Sequence, residues 1–242
     1  MELIFLGVGV GSISGFFGIG GGTILVPLLL LFGYTIKEAI GISVVQMVFS
    51  SIYGSYLNNK KGSLDVPMVL AIGVGGFFGA LLSGVITSIF DDKTLEIIFL
   101  LFVSFALLRM FFKTTDSRVS KKVNRAVLFV IGLVIGAISI SIGVGGSLIL
   151  VPILVGFLHV ELKKAISAGL FFVVFSSISG FISHSLSRHI DFHTGVIIGF
   201  SSLAGVYIGI LLKDRVDTLL QKKLLVGFYL LIVIYLIQRI FF

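Results

Sequence analysis

The sequence predicts an all-α polytopic membrane protein. It is built from two inverted repeats, each a broken or re-entrant glycine-rich helical hairpin plus three transmembrane helices. Three observations carry this reading. Of 242 residues, 57% are apolar and only 12% charged, against about 25% charged in a typical soluble domain, and the mean hydropathy is +1.20. The apolar residues form continuous runs such as LVPLLLLF and FLLFVSFALL, which suit helices and not the alternation of membrane β-strands. The chain also matches itself at a nearly constant offset.

The composition excludes a water-soluble domain, a disordered chain and, with no cysteine, a disulfide-stapled one. The net charge of +7 and pI near 9.7 read as Lys and Arg in cytoplasmic loops, not as a nucleic-acid surface. The opening MELIF carries an acidic residue before its apolar run, so a cleaved signal peptide is not expected.

Eight stretches lack Asp, Glu, Lys and Arg: 3–36, 39–59, 66–90, 97–108, 126–160, 165–187, 192–212 and 224–238. A bilayer core needs about 20 helical residues, and six stretches fit or approach that length. The short ones are completed by flanking residues that can snorkel, among them Arg109, Lys222 and Lys223. The other two, 3–36 and 126–160, would run roughly 50 Å as continuous helices, too long for one crossing and too short for two.

Glycine interrupts both long stretches at the same place. They read GFFGIGGGTILVPLLLLFG and AISISIGVGGSLILVPILVGF, so that Gly20, Gly21, Thr23 and Pro27 align with Gly145, Gly146, Leu148 and Pro152 at an offset of 125. Beyond a one-residue insertion the offset is 126, pairing Phe49 with Phe175, Ser50 with Ser176, Ser51 with Ser177, Gly54 with Gly180 and Asp65 with Asp191. The implied organisation is a first repeat over 1–112, a polar cytoplasmic linker over 113–125 and a second repeat over 126–242.

Charge selects the orientation of the copies. If each long stretch crosses once, the basic residues divide ten to eight between the faces. If each turns at its glycines and returns, one face holds Lys37, Lys93, Arg188 and Arg239 and the other holds the remaining fourteen. Only the second arrangement obeys the positive-inside rule. It places both termini outside, the linker inside, and the copies upside down relative to each other.

In that arrangement the glycine tips meet near the midplane. The expected substrate-binding residues are Gly18, Gly20, Gly21, Gly22 and Thr23 on one tip and Gly143, Gly145, Gly146 and Ser147 on the other. The arm after each tip starts there, so its free N–H groups and positive dipole end suit an anion. Backbone at this depth requires protein or a watery cavity around it, so a cavity at the tips is expected. Ser50, Ser51, Ser176 and Ser177, mid-stretch in both copies, add hydroxyl donors, and Gln46 lies one turn before Ser50. Small residues also let helices pack closely, so the serines alone do not decide the matter.

No carboxylate, Lys or Arg falls mid-span, which disfavours a carboxylate-based proton pump or metal-ion transporter. Asp65 and Asp191 precede apolar runs, where N-caps sit, with gating as the alternative role. His184, His189, His193 and Asp191 occur in one copy only and at the membrane edge, so no metal site is expected. There is no nucleophile motif, hence no enzyme, and no cofactor. The expected partners are a small anion and the lipid bilayer, with no nucleic acid; assembly into a homo-oligomer stays open.

The duplicated GIGGGTILVP and GVGGSLILVP, the runs AIGISVVQMVFSSIYG and AISAGLFFVVFSSISG, and the loops KGSLD and RHID resemble the sulfite exporter TauE/SafE family over nearly the whole chain. The resemblance implies a bacterial inner-membrane permease for small sulfur-containing anions such as sulfite or organosulfonates. The leading expectation is export by alternating access of the two repeats, with ion-coupled uptake of another anion or a non-transporting scaffold or assembly factor as alternatives. The second copy departs from the pattern at Ser147 and at Arg188, where the first has Gly22 and Gly62.

Overall fold

The computed structural model describes residues 1–60, 66–111, 124–187 and 191–241. These are helical almost throughout. The first half contains α1 (Glu2–Phe17), α2 (Gly22–Leu31), α3 (Ile36–Lys60), α4 (Val66–Ala80), α5 (Ser83–Ile89) and α6 (Asp92–Phe111). The second contains α7 (Arg125–Ser141), α8 (Ser147–Phe157), α9 (Leu162–Leu186), α10 (Phe192–Arg215) and α11 (Thr218–Phe241). Four helices are long and apolar enough to cross a membrane, or five if α4 and α5 form one bent span.

The burial pattern is that of a protein solvated by lipid. Leu101, Phe200, Leu231 and Ile234 are exposed, while Ser14, Ser43, Gln46, Ser50, Ser139 and Ser176 are wholly enclosed. In water such a surface would aggregate; in hydrocarbon, which offers no hydrogen bonds, it is the polar groups that must turn inward.

Glycine sets the helix contacts. On α1, Gly11 faces Ser202 and Gly15 faces Val206, while Gly205 and Gly209 of α10 face Val8 and Ser12, so the two helices run parallel. The pair α4 and α7 repeats this, Gly75 and Gly79 meeting Leu133 and Gly132 and Gly136 meeting Gly76. Between lipid-embedded helices, where tails are as apolar as side chains, such close backbone approach is what van der Waals attraction needs. A contrast along one helix tests this. Gly11→Ala pushes a Cβ into the backbone of Ser202 and is expected to lower stability by about 1–3 kcal/mol. Gly9→Ala meets nothing within 4 Å and is expected to be neutral or to gain up to about 1 kcal/mol of helix propensity. Thermal unfolding of the two variants in detergent measures the difference.

The central pair is α3 and α9. Gly54 touches Leu170 and Gly180 touches Val44, and Ser51 meets its repeat-mate Ser177 at 3.4 Å, so these equivalent helices run antiparallel. Parallel contacts flank them, α3 with α10 through Val45–Gly195 and Phe49–Gly199, and α9 with α4 through Phe175–Gly73. At the rim, Arg239 near the end of α11 donates to Glu96 near the start of α6 at 3.0 Å, and to the Leu30 carbonyl at 3.3 Å.

Residues 66–90 read as one stretch in the sequence, but the structure breaks them at Leu81 and Leu82 with a 41° bend. The cause is a set of side chains from other helices. Ser183 donates to the Leu81 carbonyl at 2.7 Å and accepts from the Gly84 N–H at 2.9 Å, satisfying backbone groups that a straight helix would pair within itself. Thr87 extends the joint by donating to the Ser141 carbonyl at 2.8 Å. Asp191 is the N-cap of α10, accepting from Thr194 N–H at 3.1 Å. Burial alone would raise its carboxyl, but the Thr194 hydrogen bonds outweigh this and hold it below the ordinary carboxylate range. Asp65, its expected counterpart, lies outside the described residues, as does nearly all of the linker 113–125.

Candidate functional site

The chain between α1 and α2, and between α7 and α8, reverses its local conformation on glycine alone. Gly18, Gly20 and Gly21 have φ of 70°, 76° and 82°; Gly143, Gly145 and Gly146 have 71°, 80° and 79°. Positive φ costs an L-residue a steric clash that glycine avoids, so the two loops are copies in conformation as well as in sequence.

Both tips lean on the same two side chains. Met47 of α3 and Val173 of α9, equivalent positions in the repeat, lie within contact distance of both Gly20 and Gly145. Gly18 sits against Ile166 on α9, and Gly143 sits against Ile40 on α3 and Val26 on α2. Polar ties hold the loops there. Ser43 donates to the Gly143 carbonyl at 2.7 Å, Ser50 to the Gly20 carbonyl at 3.4 Å and Ser176 to the Gly145 carbonyl at 3.5 Å. The structure thus brings the expected glycines and serines into one region, with the hydroxyls of Ser50 and Ser176 directed at tip carbonyls. Ser51 and Ser177 bond back to Val48 and Val174 as well as to each other.

The helices that leave the tips start without a side-chain cap. The N-cap residues are Gly21 for α2 and Gly146 for α8, and the first intrahelical donors are Ile24 and Ile149. The N–H groups before them carry the positive end of each helix dipole. Around these starts lie polar atoms that are fully buried and have no hydrogen-bond partner among the described residues: Thr23 Oγ1, Ser147 Oγ and both amide atoms of Gln46. Gln46 lies against Gly21, its Nε2 2.8 Å from where a Cβ would stand.

Two further hydroxyls join this set, Ser14 and Ser139. Each lies one turn before its tip, and Ser139 faces Gly146. They align at the offset of 125, so the repeat itself carried a signal for them. The two tips are not identical in chemistry: Thr23 and Gln46 on the first correspond to Leu148 and Phe172 on the second, and Phe172 packs on Gly146 as Gln46 does on Gly21. Pro152, which cannot donate to the carbonyl one turn back, leaves that of Leu148 to Tyr229, whose hydroxyl donates to it at 3.4 Å.

No charged side chain touches the tips among the contacts described. An enclosed charge lies at the end of α10: Lys213, which is 2% exposed and donates to Asn58 at 2.7 Å and Ser167 at 3.3 Å. The sequence places Lys213 at the edge of stretch 192–212 and gives no sign of its burial. His184 is enclosed, His193 is exposed, and His189 lies outside the described residues.

The sequence profile of the family described as "Sulfite exporter TauE/SafE" matches residues 3–236. The chain belongs to the TauE/SafE family. Similar proteins include the "Probable membrane transporter protein" YdhB of Bacillus subtilis strain 168, 27% identical over 83% of this chain and 84% of the relative. YunE of the same organism is 22% identical over 93% and 90%. MJ0441 of Methanocaldococcus jannaschii is 28% identical over 75% and 71%. All three bear the name "Probable membrane transporter protein", so the relatives of this TauE/SafE chain are named as membrane transporters and not as enzymes. No solved structure matches the chain.

Proposed function

We propose that this TauE/SafE protein carries a small sulfur-containing anion, sulfite or an organosulfonate, out of the cell across a bacterial inner membrane. The anion binds between the two glycine tips, and the two repeats, 1–112 and 126–242, give it access alternately to either face. The observation that carries this reading is the set of enclosed, unpartnered polar atoms on Ser14, Thr23, Gln46, Ser139 and Ser147 beside two uncapped helix starts. Leaving one buried polar atom unpaired costs about 1–3 kcal/mol, and an oxyanion that accepts from the donors of this set relieves much of that cost. The inside-negative potential favours the exit of an anion by about 2.3 kcal/mol per charge per 100 mV. Labelled sulfite moved by proteoliposomes tests the proposal; no movement of any sulfur oxyanion favours a non-transporting scaffold.

The inverted arrangement is part of the same reading. The antiparallel contact of α3 with α9 supports it, because parallel copies would run those equivalent helices the same way. The meeting of Glu96 with Arg239, at opposite ends of the equivalent α6 and α11, supports it too. Helix direction supports the re-entrant hairpins. Since α1 runs with α10 and α10 with α3, the start of α1 and the start of α3 share a face, and α2 ends just before α3 begins. The chain has no native cysteine, so single cysteines can be placed at Ser120 and after Phe242. An impermeant thiol reagent on intact cells is expected to label only the second; equal labelling contradicts the orientation.

A further inference from the structure

We propose that the tip site selects a monoprotonated oxyanion, one bearing both a negative oxygen and an O–H, over a fully deprotonated one. This rests on the anion reading above and narrows its substrate to species such as hydrogensulfite. The Gln46 amide is fully enclosed, and neither Nε2 nor Oε1 has a hydrogen-bond partner. A primary amide is both donor and acceptor. A bare oxyanion satisfies Nε2 and leaves Oε1 facing negative charge. An oxyanion that keeps one proton satisfies both, accepting from Nε2 and donating its O–H to Oε1.

Charge points the same way. The donors at the tips are neutral hydroxyls, one amide and backbone N–H groups, with no cation among the described contacts. The Born cost of desolvation rises with the square of the charge, so a dianion is about four times as costly to enclose as a monoanion. The repeat supplies the orientation. Phe172 stands where Gln46 stands in the other copy, and it closes the second tip with a ring edge 2.5 Å from the Cβ position of Gly146. The protonated oxygen therefore belongs at Gly21 and Gln46, and the unpartnered hydroxyls of Ser14 and Thr23 on the same tip are left for the remaining oxygens.

The acidic, basic and histidine side chains on α3, α9 and α10, which pack around Gln46, lie toward the helix ends: Lys37, Glu38 and Lys60 on α3, Lys163, Lys164 and His184 on α9, and His193, Lys213, Asp214 and Arg215 on α10; Tyr53 and Tyr56 of α3 and Tyr207 of α10 lie further in. The test must separate their titration from that of the substrate. Initial sulfite flux is measured in proteoliposomes with equal pH inside and out, at constant total sulfite, across its second ionisation. Methanesulfonate, which stays a monoanion throughout, and sulfate, which has no proton to give, serve as comparisons. The expected result is a sulfite rate that falls about tenfold per pH unit above that ionisation, a flat profile for methanesulfonate, and little sulfate movement. In Gln46→Met the sulfite slope is expected to become shallower.

A sulfite rate that is flat or rises with pH overturns the inference while leaving anion transport intact. So does sulfate moving as fast as sulfite, or a methanesulfonate profile that falls in parallel. Absence of flux for every anion overturns the transport reading itself, and the inference with it.

Discussion

Gly22→Ala is expected to abolish sulfite transport and to destabilise the protein by about 3 kcal/mol. Gly22 is the first residue of α2 and its φ is not positive, so the need for glycine here is one of space. A Cβ would overlap the Gly143 carbonyl oxygen and stand 2.5 Å from Ser43 Oγ and 3.0 Å from Met47 Sδ. A carbonyl in a neighbouring tip cannot swing aside as a side chain can, and moving it breaks the hydrogen bond from Ser43. The second copy shows how the same contact takes a side chain: Ser147 occupies the equivalent place, and Gly169, facing it, leaves the room that Ser43 takes in the first. Gly169→Ser, which fills that room, is expected to do comparable damage. Thermal unfolding in detergent and vesicle flux measure the two effects separately.

Gly21→Ala is expected to abolish transport for a different reason, with the fold retained. At φ 82° an alanine is strained by about 1–3 kcal/mol, and its Cβ would displace the amide end of Gln46. That end has no protein partner to lose, so the helices stay packed while the proposed anion contact is obstructed. Expression and a cooperative melt with no measurable flux are the expected outcome. Flux at the wild-type level would place binding elsewhere.

Much of the fold was legible because membrane helices are long, and their interruptions leave marks. The glycine breaks at 18–21 and 143–146 stood out against charge-free surroundings, and the offset of 125 paired them before any geometry was known. The bend between α4 and α5 left no such mark, because it depends on Ser183 of a helix distant in sequence. Lys213 was illegible for a similar reason. A lysine at the end of an apolar run normally reaches water, and only the arrival of Asn58 and Ser167 makes an enclosed place for it. At the candidate site, the type and spacing of residues identified tips and hydroxyls. Which hydroxyls are tied to backbone, as in Ser50 and Ser176, and which atoms are left over, as in Gln46 and Ser14, depends on three-dimensional packing.

The most direct measurement is a crystal structure with bound selenite, an oxyanion whose selenium scatters anomalously. The account predicts one strong peak between Gly21 and Gly146, with an anion oxygen about 3 Å from Gln46 Nε2. A peak beside Lys213 at the helix ends, with the tips empty in a protein that still transports sulfite, would contradict it.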